Sequence, residues 1–223
     1  MTPRELIGVA EVPGGAPLKL YKRGGDFMIT LERNELMSSR MSGSEVALGV
    51  MTCQRLSALA SPTLLIGGYG MGFTLRAVLA TLGTNAQVIV AELVPDIIAW
   101  ARGHMQALAA GCLDDRRVEI SLSDVAVMIK AGAGSYDAIL LDVDNGPDGL
   151  TRQANDGLYS LQGLANAKAA LKPSGILAIW SAAPDAAFAR RLSQAGFAVD
   201  EVRVLARENG KGPKHVIWFA QAA

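Results

Sequence analysis

The sequence is poor in the residues that most directly advertise chemistry. It holds two cysteines, Cys53 and Cys112, and two histidines, His104 and His215, in 223 residues. Two cysteines make no disulfide framework, and their spacing does not suit a metal site, so no metal is expected. Charge of either sign is in no excess, with 21 Lys and Arg against 21 Asp and Glu. That balance argues against a surface holding nucleic acid by bulk positive charge. Long apolar runs are also missing, although half of the residues are hydrophobic. Every candidate for a run of about 18 apolar residues is broken by Arg55, Glu92 or Asp96, so no membrane span is expected. The N-terminus, MTPRELIGVAEVPGG, has acidic residues where a secretion signal needs an apolar core. The expectation is a soluble, cytoplasmic chain with one sizeable core and room for a small appendage.

What is present is a regular alternation. In residues 1–43, LKLY (18–21) and DFMITLE (26–32) read as two short strands joined across Gly24-Gly25. The following ERNELMSSRMSG is polar and reads as turn. These residues are taken as a small N-terminal β segment, and 44–223 as the main domain. From Ser44 the spacing of Val46, Leu48, Val50, Met51 and Leu56 is helical up to Ser61-Pro62. Strand-like runs then fall at 63–67, 87–92, 117–121, 136–142 and 175–180, with helical periodicity at 72–82, 95–109, 124–131 and 158–171. The strands are rich in Ile, Leu and Val and apolar on both faces, as buried parallel strands are. After a helix at 184–195 and its cap Gly196, two further strands, 197–206 and 214–220, are separated only by a short polar loop and must pair antiparallel. A mostly parallel seven-stranded α/β sheet ending in an antiparallel hairpin is the layout of the Rossmann-like class I S-adenosylmethionine (SAM) methyltransferase fold.

In such sheets ligands sit beyond the carboxyl ends of the strands, where the strand order reverses. After the strand 63–67 comes Gly67-Gly68-Tyr69-Gly70-Met71-Gly72, opening a helix at Phe73. Glycines let backbone approach a ligand, and a helix start offers unpaired N–H groups. The spacing is G-x-G-x-G, and Phe73 stands where the NAD-binding fingerprint wants glycine. Glu92 ends the second strand, followed by Leu93, and its carboxylate suits the two hydroxyls of a ribose. A plainer role for Glu92 is to cap the helix that starts at Pro95. Asp124, after Ser123, suits an adenine amino group and equally an ordinary helix cap. Asp142 ends the fourth strand, where a carboxylate is costly unless paired or open to a cleft. Asp144, Asn145 and Asp148 in the following DNGPD are explained as turn residues. Trp100, Trp180, His104 and His215 read as core or surface residues, and Arg207, Lys211 and Lys214 as a solvated hairpin tip.

Over most of its length the chain resembles the spermidine synthase (aminopropyltransferase) family. The resemblance lies in LLIGGYGMGFTLRAVL, in Glu92, in Ser123-Asp124, in YDAILLDVDNGP, in Leu158-Tyr159 and in ALKPSGILAIW. It implies a nucleoside-sulfonium site at Gly67–Gly72, Glu92, Leu93, Ser123, Asp124 and Asp142, with Asp142 as the base. It also implies SAM or decarboxylated SAM as cofactor and a small-molecule amine or other acceptor as partner; a homodimer is expected. Three departures stand out. The family's loop aspartate, which binds the cationic aminopropyl end, looks like Met71 here. The second aspartate of its D-x-x-D element is Asn145, and MSGSEVALG lacks its Tyr-Gln or Tyr-His pair. Three activities stay open: aminopropyl transfer with Asp142 as base, methyl transfer from SAM, and a non-catalytic nucleoside-binding or structural dimer.

Overall fold

The computed structural model describes residues 3–143, 156–207 and 209–222. Asp144, Asn145 and Asp148 lie outside the described residues. Two sheets are formed. The first is an antiparallel meander of β1 (Glu5–Ala10), β2 (Leu18–Arg23), β3 (Asp26–Leu31) and β4 (Asn34–Ser38). The expected hairpin across Gly24-Gly25 is its centre, with Arg23 opposite Asp26. The polar segment after it is strand rather than turn: Leu31 pairs with Asn34, and Met28 with Ser38. At an edge, Asn34 and Glu35 face solvent while Ser38 is buried, so polarity alone does not separate such a strand from a loop.

The second sheet has seven strands in the order β10-β11-β9-β8-β5-β6-β7. Its parallel members are β5 (Thr63–Gly67), β6 (Gln87–Ala91), β7 (Val118–Ser121), β8 (Tyr136–Leu141) and β9 (Leu171–Ser181). The closing strands β10 (Phe197–Leu205) and β11 (Lys214–Ala222) pair antiparallel, and β11 runs antiparallel to β9. Burial explains the apolar runs: every residue of β8 is buried. Its one acid, Asp137, accepts from Thr63 N at 2.7 Å and Lys172 Nζ at 2.6 Å.

Helices cover both faces. One hydrophobic cluster joins α1 (Gly43–Arg55), α2 (Phe73–Thr81) and α3 (Pro95–Arg102) to one face of the large sheet. It also takes in Ala10, Leu20, Phe27 and Ile29 of the small sheet. The other face packs against α5 (Val125–Ala131), α7 (Leu161–Ala170) and α8 (Ala186–Gln194). The helix expected over 95–109 is broken into α3 and α4 (Gln106–Ala109), because Gly103 leaves helical geometry after Arg102. The strand order turns back between β5 and β8. Chain connectivity runs outward to β6 and β7 on one side and to β9 on the other. The carboxyl ends of β5 and β8 therefore form the crevice in which doubly wound sheets hold ligands.

Candidate functional site

The crevice is built from short, unforgiving contacts. Asp142 N donates to Gly67 O at 3.1 Å, and Gly68 N donates to Ala91 O at 2.8 Å, tying the ends of β8, β5 and β6 together. Gly68 has a left-handed φ of 87°, and a Cβ there would lie 2.7 Å from the Asp142 carbonyl oxygen. Gly70, with φ of 56°, leaves room for Met37 of β4, whose Cε would lie 2.8 Å from an added Cβ. The glycines thus let two backbones and one neighbouring sheet meet at the loop.

Glu92 fastens the loop from below. Its side chain is buried, with Oε2 accepting from Tyr69 N at 2.9 Å and Oε1 from Val94 N at 2.8 Å. Burial raises its pKa, and the backbone N–H groups around it pull the other way. Its bond to Val94 reaches the residue before α3 and caps no helical N–H, so the expected capping role is not formed, while the same carboxylate borders the cavity. Asp124 is the N-cap of α5, accepting from Ala126 N at 2.8 Å.

Two adjoining cavities open here. The larger, of about 190 Å³, is bordered by Gly68, Gly70, Glu92, Leu93 and Asp142. The smaller, of about 60 Å³, is bordered by Gly68, Glu92, Leu93, Ser123 and Asp124. Seven of the expected site residues therefore line one connected crevice. Four do not line either cavity. Tyr69 and Met71 are buried in the core, at 4% and 1% exposure. Tyr69 O–H lies 3.5 Å from Cys112 Sγ. Gly67 ends β5 under Val125 and Leu141, and Gly72 is the N-cap of α2, where a Cβ would meet the Tyr69 ring. It is Gly70, not Met71, that the loop turns toward the larger cavity.

The structure adds residues that the sequence analysis did not single out. Glu45, in the first turn of α1, borders the larger cavity and is 6% exposed. Burial, followed by the nearby Asp142 charge, pushes its pKa up to about 7; burial likewise raises Asp142 to about 6, against the Thr74 hydrogen bond. Thr74 Oγ1 donates to Asp142 Oδ2 at 2.7 Å. Ser44 Oγ donates to Glu45 Oε2 at 2.6 Å and lies 2.9 Å from His215 Nδ1, within hydrogen-bonding distance. Trp180, edge-on to His215, also borders the cavity, and its indole N–H is buried without a hydrogen-bond acceptor among the described residues. The signal for Glu45 was available: it shares a helical stripe with Leu48 and Thr52, and an acid on a buried stripe asks for a reason. Among the described residues lining the larger cavity there are three carboxyl groups and no Lys, Arg or His.

Comparison with known proteins agrees with this architecture. The chain superposes on the spermidine synthase from Thermotoga maritima with a TM-score of 0.75 at 18% identity, covering 98% of this chain and 73% of that one. A polyamine aminopropyltransferase of Mycobacterium tuberculosis (strain ATCC 25618 / H37Rv) is 31% identical over 199 residues, 85% of this chain and 35% of that protein. The polyamine aminopropyltransferase 2 of Pseudomonas aeruginosa is 31% identical over 120 residues, 52% of this chain and 32% of its own length. The chain thus spans about a third of these curated relatives. Residues 55–187, more than half of the sequence and the stretch carrying the glycine loop, Glu92, Asp124 and Asp142, match the spermine/spermidine synthase domain, and the chain belongs to that family.

Proposed function

We propose that this protein is an aminopropyltransferase that binds decarboxylated SAM and passes its aminopropyl group to an amine. The observation that carries the reading is the convergence of Glu45, Glu92 and Asp142 on one cavity that has no basic side chain among its described lining residues. Such a cavity favours cations, and both an amine acceptor and a sulfonium donor are cationic. The residues suit the donor: Gly68 and Gly70 border the larger cavity, the Glu92 carboxylate beside them suits ribose hydroxyls, and the smaller cavity beside Ser123 and Asp124 suits adenine. Bound there, decarboxylated SAM would supply an aminopropyl carbon activated by a sulfonium, the C–S bond breaking as the new C–N bond forms and its electron pair leaving with methylthioadenosine. Asp142 takes the proton from the acceptor's ammonium, so that the nitrogen lone pair is free to attack. Its raised pKa suits a base working near neutrality. Thr74 holds one carboxylate oxygen in place and leaves the other for the amine.

A second reading, methyl transfer from SAM, is favoured by one feature. Gly70, covered by Met37, presents no carboxylate on the loop for the aminopropyl ammonium. Calorimetry with SAM, decarboxylated SAM and methylthioadenosine separates the two. Tight binding of decarboxylated SAM over SAM is the expected result. Binding of SAM alone would shift the assignment to methyl transfer, and failure of all three would remove the nucleoside site. Asp142→Asn is expected to lower transfer at least about 100-fold while leaving methylthioadenosine affinity unchanged. Full transfer activity in that variant would rule out Asp142 as the base.

A further inference from the structure

We propose that Glu45 is a second carboxyl that meets the acceptor amine, and that Ser44 and His215 are the residues that position it. The inference rests on the transfer reading above and concerns the wall of the larger cavity beside Asp142. Two carboxyl groups there are held in the same way. Thr74 Oγ1, from α2, donates to Asp142 Oδ2 at 2.7 Å, and Ser44 Oγ, from α1, donates to Glu45 Oε2 at 2.6 Å. In each case a hydroxyl fixes one oxygen, and no side chain among the described residues bonds the other. Glu92 differs, since backbone N–H groups take both of its oxygens. Thr74 Oγ1 also reaches the Glu45 carbonyl at 3.3 Å, so one hydroxyl links the two residues.

The pair suits a reacting amine. A primary ammonium has three N–H donors, and giving one proton to Asp142 leaves two of them and a lone pair. A hydrogen bond from one of those N–H groups to Glu45 Oε1 fixes the rotation of the nitrogen, and so the direction of its lone pair. Such a bond orients the amine only if the accepting carboxyl is itself held. Glu45 has a long side chain in the first turn of a helix, and ordering it needs a partner. Ser44, fully buried, supplies one. Its hydroxyl also lies 2.9 Å from Nδ1 of His215, near the start of β11. Gly43 N donates to Ala206 O at 2.9 Å, so the first turn of α1 is tied twice to the closing hairpin. The His215 ring in turn meets Trp180 edge-on, with centroids 4.9 Å apart. His215 borders neither cavity, and therefore acts through Ser44 and Glu45 rather than on a ligand.

The test is calorimetric titration of 1,4-diaminobutane into the full chain saturated with methylthioadenosine, with decarboxylated SAM titrated separately. Glu45→Gln is expected to weaken diamine binding at least about tenfold and to leave the affinity for decarboxylated SAM within about twofold. His215→Phe keeps a ring against Trp180 and removes Nδ1; it is expected to weaken diamine binding about three- to tenfold. His215→Asn loses the ring and keeps a polar atom, and is expected to stay within about twofold of the wild type. A packing role alone gives the reverse order for those two variants. In the Glu45→Gln chain, His215→Phe is expected to have no further effect. Additive losses, the reverse order at position 215, or unchanged diamine affinity in Glu45→Gln each overturn the proposal, as does failure of the diamine to bind the wild-type chain. Loss of decarboxylated SAM affinity in Glu45→Gln assigns that carboxyl to the donor and overturns it too. Ser44→Ala replaces the position 215 variants if their thermal transitions show that they do not fold, with the same loss expected. Transfer by the wild-type chain is measured apart, so its absence overturns the transfer reading while the binding contrasts still test Glu45.

Discussion

Glu45 and Asp142 tie the chemistry of the crevice to the stability of the chain. Burial raises both pKa values, helped at Glu45 by the nearby Asp142 charge, to about 7 and about 6 from 4.5 and 3.8. The folded protein therefore keeps protons that the unfolded chain has released above pH 4 to 5. The stabilisation from these groups is complete below those unfolded values and is lost as pH rises through 6 to 7. Glu45→Gln, which stays neutral, is expected to match the wild type near pH 4 and to exceed it at pH 8 by ~1–3 kcal/mol. Urea unfolding at the two pH values measures the difference, and equal stability at pH 8 would contradict it. Glu92 works in the opposite sense on the loop. Removing its carboxylate in Glu92→Ala leaves the buried N–H groups of Tyr69 and Val94 without their acceptor, at about 1–3 kcal/mol each. A lowered thermal midpoint and loss of methylthioadenosine binding are both expected. Unchanged nucleoside affinity in a folded variant would take Glu92 out of the site.

At the level of elements, the position of Asp142 depends on how closely α1 and α2 pack. Gly49 of α1 faces α2 so tightly that an added Cβ would lie 2.8 Å from Thr74 O and 2.8 Å from Ala77 Cβ. Thr74 is the residue that holds Asp142, and it also reaches the Glu45 carbonyl at 3.3 Å. Gly49→Ala must push the helices apart, at a cost of ~1–3 kcal/mol, and move the Thr74 hydroxyl. It is expected to lower kcat as well as the urea midpoint, although it lies outside the cavity lining. A variant with wild-type stability would show that the helices separate freely. The helical spacing over 44–61 made α1 legible in the sequence. That its single interior glycine is a contact point was not, because a glycine within a helical pattern looks the same whether it faces water or a second helix.

For the molecule as a whole, the small N-terminal sheet shares its core with the large one. Ala10, Leu20, Phe27 and Ile29 belong to the same buried cluster as Leu64, Val88 and Trp180. Gly8 of β1 leaves so little space that a Cβ would fall 2.6 Å from the indole nitrogen of Trp100 in α3. A shared core makes separate unfolding costly, since either part would expose the apolar face of the other. Far-UV circular dichroism and tryptophan fluorescence are expected to report one coincident urea transition. Two resolved transitions would mean that the sheets unfold independently. The same contact gives the cavity its apolar wall, so the N-terminal sheet shapes the site while carrying none of its carboxyl groups.

The sequence by itself determined the order of the main elements, the parallel sheet, the closing hairpin and the position of the crevice. These follow from local causes: strand runs apolar on both faces, glycine after a strand, and an acid at a strand's end. Only the tertiary structure decided which side chains meet. Met71 and Tyr69 turn into the core because the loop's left-handed glycines direct Gly68 and Gly70 toward the cavity. Glu45, nearly a hundred residues before Asp142, becomes its neighbour because α1 packs on α2 beside the end of β8. The polar β4 pairs because an edge strand needs only one buried face. Each of these depends on contacts distant in sequence, which periodicity and spacing do not encode.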